Sequence, residues 1–249
     1  WNRGDGTFAE VGRYAGVEAS DWSWQPVFLD VDLDGYDDLL VTNGHLHDVN
    51  DRDAQAKFQH VPKAKRSQVG PLMFPPNTTA NVAYRNRGDF TFAETGQAWG
   101  FNSPQMSHGI ATGDLDNDGD LDLVVNCLNQ PPLVYRNNSI APRVAVQLRG
   151  RAPNTHGIGA RVTVAVGPLR QTQEIVAGGR YLSGDQSRRT FAIGTGVVKR
   201  SIEVAWPSGH RSFIADPQPN HLYEVIEPGG ELPKPALAKR EPEPFFEDA

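Results

Sequence analysis

The chain has 249 residues, 38% hydrophobic and 22% charged, a globular composition that allows one large all-β domain or two ordinary domains. Its 25 glycines and 19 prolines favour short strands joined by turns, and no stretch approaches the roughly 18 apolar residues of a transmembrane helix. The net charge of −6 comes without a basic block, so we predict neither nucleic-acid binding nor a transmembrane segment.

An internal repeat organises the first part of the chain. Residues 2–10, NRGDGTFAE, recur 84 positions later as residues 86–94, NRGDFTFAE, and two aspartate-rich segments share this offset. The common register predicts a duplicated structural unit, interrupted in its first copy by an insertion at 44–80. Because the chain opens at Trp1 inside a repeat motif, without an initiator Met, we interpret its N-terminus as processed or cut from something longer.

Each unit is predicted to form short antiparallel strands. Apolar runs flank each aspartate segment, and further runs follow after turn residues. The predicted strands lie at residues 27–29, 39–41, 82–84 and 90–92 in the first unit and at 110–112, 123–125 and 133–135 in the second. Four such strands form a blade of a β-propeller. We therefore predict an all-β fold that begins with a partial β-propeller of two blades and the start of a third at Asn137.

The two aspartate segments are predicted to bind calcium. Carboxylates at positions 1, 3, 5 and 9 of each nine-residue loop point inward, Gly at position 6 permits a positive φ, and the carbonyl of position 7 adds an oxygen ligand. Flexible coordination by oxygen alone suits Ca²⁺ better than Mg²⁺ or Zn²⁺. The predicted ligands of the two Ca²⁺ sites are Asp30, Asp32, Asp34, Tyr36 and Asp38 in the first loop and Asp114, Asp116, Asp118, Asp120 and Asp122 in the second.

Neither an EF-hand nor a pair of plain acidic turns fits these loops as well as a calcium site in a hairpin. An EF-hand needs Glu at position 12 and flanking helices, whereas position 12 is Val41 or Val125 and the flanks are strand-like. Plain acidic turns would leave four or five like charges within nine residues without a counter-ion, which is unfavourable. Structural sites of this kind, with affinities on the order of 10⁻⁴ to 10⁻³ M, would fill only outside the cytoplasm.

From residue 141 the sequence alternates cleanly between apolar and polar positions. Val144, Val146 and Leu148 share one strand face, and similar triplets follow at 162–166 and 202–206. We predict an antiparallel β-sandwich of about seven strands over 141–228, after a propeller region at 1–140 and before a Pro-rich tail at 229–249. Cys127 lies in an apolar run and is predicted to be a buried strand thiol.

Several motifs resemble those of known families. The Asp-x-Asp-x-Asp-Gly-x-x-Asp loops and the Asn-x-Gly-Asp turns resemble FG-GAP/VCBS repeats, which build integrin-α-like propellers. Residues 157–162 (GIGARV), 178–183 (GGRYLS) and 206–209 (WPSG) resemble the ASPIC/UnbV domain. This order is similar to that of the bacterial relatives of cartilage acidic protein. The resemblance implies a secreted, calcium-loaded propeller followed by a β-sandwich, with no established catalytic activity.

Three further patterns suggest sites that plain structure explains better. His45 and His47 could hold a transition metal, but no third ligand is fixed by spacing, which favours a solvated loop. The Arg-Gly-Asp tripeptides at 3–5 and 87–89 match an integrin-recognition sequence, yet Gly-Asp is ordinary turn chemistry. Asp185 could serve catalysis, although a turn at a strand end explains it better.

The sequence therefore predicts a calcium-stabilised binding or scaffold protein outside the cytoplasm (periplasmic, cell-surface or secreted) and not an enzyme. We expect its partner to be a protein, the subunits of a larger complex or an extracellular polysaccharide. The alternative is an accessory part of a secreted polysaccharide-acting enzyme whose catalytic site lies elsewhere. Exposed aromatics near His45 and His47, without an acid of perturbed pKa beside them, would favour binding over catalysis.

Overall fold

Strands dominate the computed structural model, which describes residues 1–77, 79–196 and 198–229. The predicted all-β class, with propeller-like blades followed by a sandwich, is confirmed. The predicted Pro-rich tail lies, except for Gly229, outside the described residues.

The helices are short and lie only in the first part of the described chain: α1 (Gly12–Ala15), α2 (Arg52–Gln59), α3 (Arg66–Val69) and α4 (Gly96–Trp99). The strands of that part are β1 (Ser23–Leu29), β2 (Asp38–Asn43), β3 (Val82–Asn86), β4 (Phe92–Glu94), β5 (Ser107–Gly113), β6 (Asp122–Cys127) and β7 (Leu133–Tyr135). Those of the second part are β8 (Arg143–Arg149), β9 (Arg161–Val166), β10 (Leu169–Glu174), β11 (Arg189–Ala192), β12 (Arg200–Ala205), β13 (Arg211–Ala215) and β14 (His221–Ile226).

The first part forms two antiparallel blades, ordered β1-β2-β3-β4 and β5-β6-β7. The fourth strand begins at Phe92, two residues later than the sequence predicts. Phe90 has a φ of 69°, and the carboxylate of Asp89 accepts a hydrogen bond from the Thr91 amide at 3.0 Å, so this stretch is a turn. After β7, residues 136–142 lead into β8.

The 84-residue repeat is visible in the backbone. The bridge between Asn2 and Phe8 corresponds to the pairing of Asn86 with Phe92. Helices α1 and α4 are likewise 84 residues apart, and each ends at a glycine in the left-handed conformation. The duplication predicted from sequence thus extends from the turns to the helices that follow them.

The two blades pack face to face. Their shared core contains Val27 and Leu40 from the first blade and Ile110 and Val125 from the second. Cys127 is buried in the same cluster, as predicted. Burial of these apolar side chains stabilises the contact between the blades, because each contributes on the order of 1.5–3 kcal/mol when removed from water.

The insertion at 44–80 is helical rather than extended. Asp51 caps α2 by accepting a hydrogen bond from the Ala54 amide at 2.7 Å. Two 3₁₀ turns (Lys63–Lys65 and Pro71–Met73) flank α3. These helices were not predicted from the sequence.

The second part consists of two packed sheets, ordered β10-β9-β12-β13 and β11-β8-β14. The alternating residues predicted from sequence form its core, with Val144, Val162 and Ile202 fully buried. One pair departs from the antiparallel pattern, since β14 runs parallel to β8. The chain reaches β14 from β13 in the opposite sheet, and such a crossover is the connection that a parallel pair requires.

The second part also lies against the second blade. The side chain of Gln25 pairs with both the amide and the carbonyl of Ile110 (2.8 and 3.1 Å) and accepts from the Tyr181 amide at 3.2 Å. Gln186, from the second part of the chain, lies beside the end of β5 and donates its amide to the Thr112 carbonyl at 2.9 Å. This contact places the sandwich beside the second aspartate loop.

Candidate metal centres

Both aspartate loops connect two paired strands and have the same backbone conformation. At position 6, Gly35 and Gly119 have φ values of 98° and 97°, as the sequence predicts. At position 4, Leu33 and Asn117 are also left-handed, with φ values of 57° and 62°. Asn tolerates this conformation, whereas it costs Leu roughly 1–2 kcal/mol. Each nine-residue loop therefore turns at two left-handed residues, one at position 4 and one at position 6.

The first and last carboxylates of each loop hold this curl together. Asp30 accepts from the amides of Asp34 and Gly35 at 3.0 and 2.9 Å, and Asp114 accepts from the Gly119 amide at 3.1 Å. At position 9, each carboxylate accepts from one amide in its own loop and one at the end of the third strand. These pairs are Val31 and Asn86 on Asp38, at 2.9 and 2.8 Å, and Leu115 and Asn137 on Asp122, both at 2.8 Å.

Three predicted ligands converge in each loop. Positions 1, 3 and 9 each offer a carboxylate oxygen within 4.8 Å of the other two, and the groups are Asp30, Asp32 and Asp38 in the first loop and Asp114, Asp116 and Asp122 in the second. Position 5 does not join either group, since one oxygen of Asp34 and one of Asp118 accept from the amide at position 7. Position 7 differs between the loops, with Tyr36 44% exposed and Asp120 1% exposed.

Arginines contact both groups, although the sequence alone did not reveal them. A Tyr-Arg-Asn motif at the end of each blade's third strand provides one: Arg85, in β3, lies 2.6 Å from Asp32, and Arg136, directly after β7, lies 2.7 Å from Asp116. The repeated motif is the signal that could have revealed this pair. The sandwich adds a further arginine beside Asp114, as Arg188 lies 2.6 Å from it.

A second arginine of the sandwich also reaches this loop. Arg143 contacts Asp118 at 3.1 Å and Asp120 at 3.7 Å. Burial nevertheless raises the pKa of Asp120 to about 7 and does the same to Asp30 and Asp38 in the first loop. Neighbouring carboxylates raise these pKa values further. The protein alone thus leaves ionised carboxylates in both loops poorly compensated.

Several carboxylate oxygens have no partner of their own. Within the described part of the chain, Oδ1 of Asp32, Oδ1 of Asp114 and both oxygens of Asp120 are buried and accept no hydrogen bond. An unsatisfied buried acceptor is costly unless a cation or donor faces it. The two groups consist only of carboxylates, a donor set that suits Ca²⁺ and Mg²⁺ rather than softer metals. Both loops could hold such an ion.

The remaining candidate residues serve the local fold. Nδ1 of His45 lies 2.6 Å from the His47 carbonyl, and Nδ1 of His47 lies 3.0 Å from the Phe74 carbonyl, which joins the two ends of the insertion. Asp185 accepts from Arg180 at 2.7 Å and from the Thr112 amide at 3.2 Å. These contacts support a structural role for all three residues.

Comparison with known proteins agrees with this geometry. A family model for the FG-GAP-like repeat matches residues 1–41 and 72–125, which contain both loops and omit most of the insertion. A model for ASPIC and UnbV matches residues 150–232. Two segments of the chain are thus similar to FG-GAP-like repeats and to an ASPIC and UnbV domain. The family resemblance predicted from sequence is confirmed.

A curated relative shows the same similarity over most of the chain. Cartilage acidic protein 1 of Homo sapiens is 24% identical over 273 residues, covering 92% of this chain and 40% of that protein. The chain thus spans about two fifths of the relative's length. FG-GAP-like repeats and an ASPIC and UnbV domain together suggest an extracellular-type protein-interaction module. Among the described helices, none is long and apolar enough to span a membrane.

Proposed function

We propose that this chain is a calcium-stabilised, extracytoplasmic binding module that acts within a larger assembly and is not itself an enzyme. The observation that carries the proposal is the same group of three converging carboxylates in two loops with matching left-handed residues at positions 4 and 6, each with a buried oxygen that no donor among the described residues satisfies. A divalent cation would satisfy these oxygens and relieve the repulsion in the loop. Because the unfolded chain lacks the site, the binding free energy would stabilise the fold.

Calcium in particular fits the proposal because the loops provide flexible, all-oxygen coordination, whereas Mg²⁺ demands near-ideal octahedral geometry. Residues 30–38 and 114–122 also lie between paired strands, so an ion in either loop would fix a hairpin. At roughly 100 times its Kd, one ion adds about 2.7 kcal/mol to the free energy of unfolding. Two filled sites would thus make a substantial contribution to the stability of a domain of this size.

Thermal unfolding in a chelator, in calcium and in magnesium tests this role. We expect calcium to raise the midpoint and magnesium to have little effect. Asp32→Asn and Asp116→Asn each remove a position-3 ligand and should each abolish part of the calcium response. The matched control is Asp53→Asn, which changes an exposed acid at the start of α2. A midpoint that calcium leaves unchanged in the parent protein would refute the proposal.

A non-catalytic role is supported by the contacts of the histidines in and near the insertion. The ring of Trp22 packs at a tilt against His45, with 4.4 Å between centroids, and that of Trp24 packs at a tilt against His108 of β5 at the same distance. The Nδ1 atoms of His45 and His47 lie against backbone carbonyls, an arrangement that serves structure better than proton transfer. Hydrolysis assays on a polysaccharide panel test the alternative enzymatic role. Turnover that survives repurification and disappears in a loop or insertion variant would overturn the binding proposal.

A further inference from the structure

A cavity separates the second aspartate loop from the sandwich. Its volume is about 210 Å³, room for roughly seven water molecules. Asp114, Asp118 and Gly119 line it from the loop, while Arg143 and Arg188 line it from the sandwich. It is smaller than the roughly 300–1,000 Å³ pockets that hold drug-sized ligands. A space of this size suits one side chain.

Both arginines that line this cavity have a buried Nε without an acceptor among the described residues. Arg188 Nη1 donates to Asp114 at 2.6 Å, and Arg143 uses its Nη atoms on Asp118 and on nearby carbonyls. Over the ranges that the structure describes, however, nothing accepts from Nε of either residue, and both atoms are buried. Buried donors of a charged group are costly to leave unsatisfied. The two Nε–H groups therefore indicate a missing acceptor.

The first loop offers no such donors. Its arginine, Arg85, already uses Nε on Asp32 at 2.6 Å. The same is true of the repeat-related Arg136, whose Nε lies 2.7 Å from Asp116. Among these four arginines, an Nε without an acceptor is thus found only where the sandwich meets the second loop and not in the repeated Tyr-Arg-Asn motif.

The two loops also differ in the formal charge that would remain after calcium binds. The second loop has five aspartates facing three arginines, a formal charge of −2 that one calcium ion would bring to zero. The first loop has five aspartates and one arginine, so a calcium ion would still leave −2. An anion is repelled from a site that stays negative and tolerated at a neutral one with free donors. This step rests on the calcium loading proposed above.

We propose that the cavity binds the side-chain carboxylate of an acidic residue on a protein partner, held by Arg143 and Arg188. Guanidinium groups match a planar carboxylate with paired hydrogen bonds. The small volume selects a single side chain over an extended sugar chain. The site gives the module a specific acceptor for an acidic protein surface, next to the second calcium loop.

Isothermal titration calorimetry tests the site in two stages. Calcium is titrated first, and acetate, a blocked peptide with one glutamate between glycines, and glucuronate are then titrated into the calcium-loaded protein. We expect the peptide to bind at least as tightly as acetate and more tightly than glucuronate. Arg188→Gln should weaken peptide binding by about tenfold or more, and Arg188→Lys, which keeps the charge but not the planar fork, should also weaken it.

The controls separate this proposal from the calcium role. Arg149→Gln changes an exposed arginine paired with Glu224 and should leave peptide binding unchanged. Normal calcium binding without peptide binding overturns the carboxylate site and leaves the calcium role intact. Tighter binding of glucuronate than of the peptide overturns the assignment to a protein side chain. Loss of the calcium signal itself refutes the proposed function and this site together.

Discussion

Gln25 holds three parts of the molecule together, so its replacement gives the sharpest test of the packing between them. The residue lies in β1 with 2% of its surface exposed. Its side-chain amide pairs with the backbone of Ile110 in the second blade and accepts from the Tyr181 amide in the second part of the chain. Gln25→Leu keeps the apolar bulk and removes all of these hydrogen bonds.

The expected loss follows from the groups left behind. Ile110 is fully buried, so its amide would have no acceptor, which costs about 1–3 kcal/mol. Its carbonyl keeps the hydroxyl of Ser183, 2.6 Å away, and therefore adds little. The Tyr181 amide loses a bond near the surface, worth about 0.5–1.5 kcal/mol. Together these terms predict that the variant is less stable by about 1.5–4.5 kcal/mol.

Chemical unfolding of parent and variant in saturating calcium measures this difference directly. In a thermal scan, a loss of about 3 kcal/mol corresponds to roughly 6–12 °C for a chain of this length. Gln130→Leu is the matched control, because Gln130 is exposed at a turn and should change stability by less than about 0.5 kcal/mol. If Gln25→Leu unfolds at the same denaturant concentration as its parent, the junction does not contribute as argued.

Three further predictions address the loops and the sandwich. In a chelator, stability should fall as pH rises from about 4 to about 7. Burial raises the pKa of Asp30 and Asp38 to about 7, so the folded protein binds more protons than the unfolded one over this range. Calcium should remove this slope in unfolding curves, and a flat chelator profile would contradict the raised pKa values. Gly35→Ala should lower the thermal midpoint more than Gly119→Ala. An added Cβ would clash with Leu169 in the first case and would meet Arg143 Nε at 3.3 Å in the second. Equal losses would show that the positive φ alone determines the loss of stability. Ile202→Ala should cost about 2–5 kcal/mol in chemical unfolding while leaving calcium binding intact, with the exposed Phe213→Ala as control; a loss of calcium binding would mean that the loops depend on the sandwich core.

Local patterns were sufficient to predict the blades and the aspartate loops. Alternation within a nine-residue hairpin places positions 1, 3 and 9 on one side, and Gly35 supplies the turn without help from distant residues. The buried strand position of Cys127 follows from its neighbours in the same way. The domain boundaries at 140 and 228, by contrast, stay predictions.

Long-range contacts explain what the sequence did not reveal. Gln25 and Tyr181 are 156 positions apart, and nothing in either neighbourhood indicates that they meet. Arg188 lies 74 positions from Asp114, so its role at the second loop depends on how the sandwich docks. The left-handed Leu33 also escaped prediction, because only the closed loop forces a leucine into a conformation that it normally avoids.

The two aspartate loops share carboxylates at positions 1, 3, 5 and 9, yet their electrostatics differ. The arginine beside the first loop, Arg85, comes from its own blade, whereas Arg143 and Arg188 reach the second loop from the sandwich. The carbonyl of Gly119 also accepts from Thr190 at 3.0 Å, so the second loop is part of the joint between both halves. A change of charge in the second loop therefore alters an ionic contact between the halves, whereas the first loop meets the sandwich through an apolar side chain, Leu169 beside Gly35. The neighbouring arginines, together with the difference between Tyr36 and Asp120 at position 7, therefore decide what each site can do.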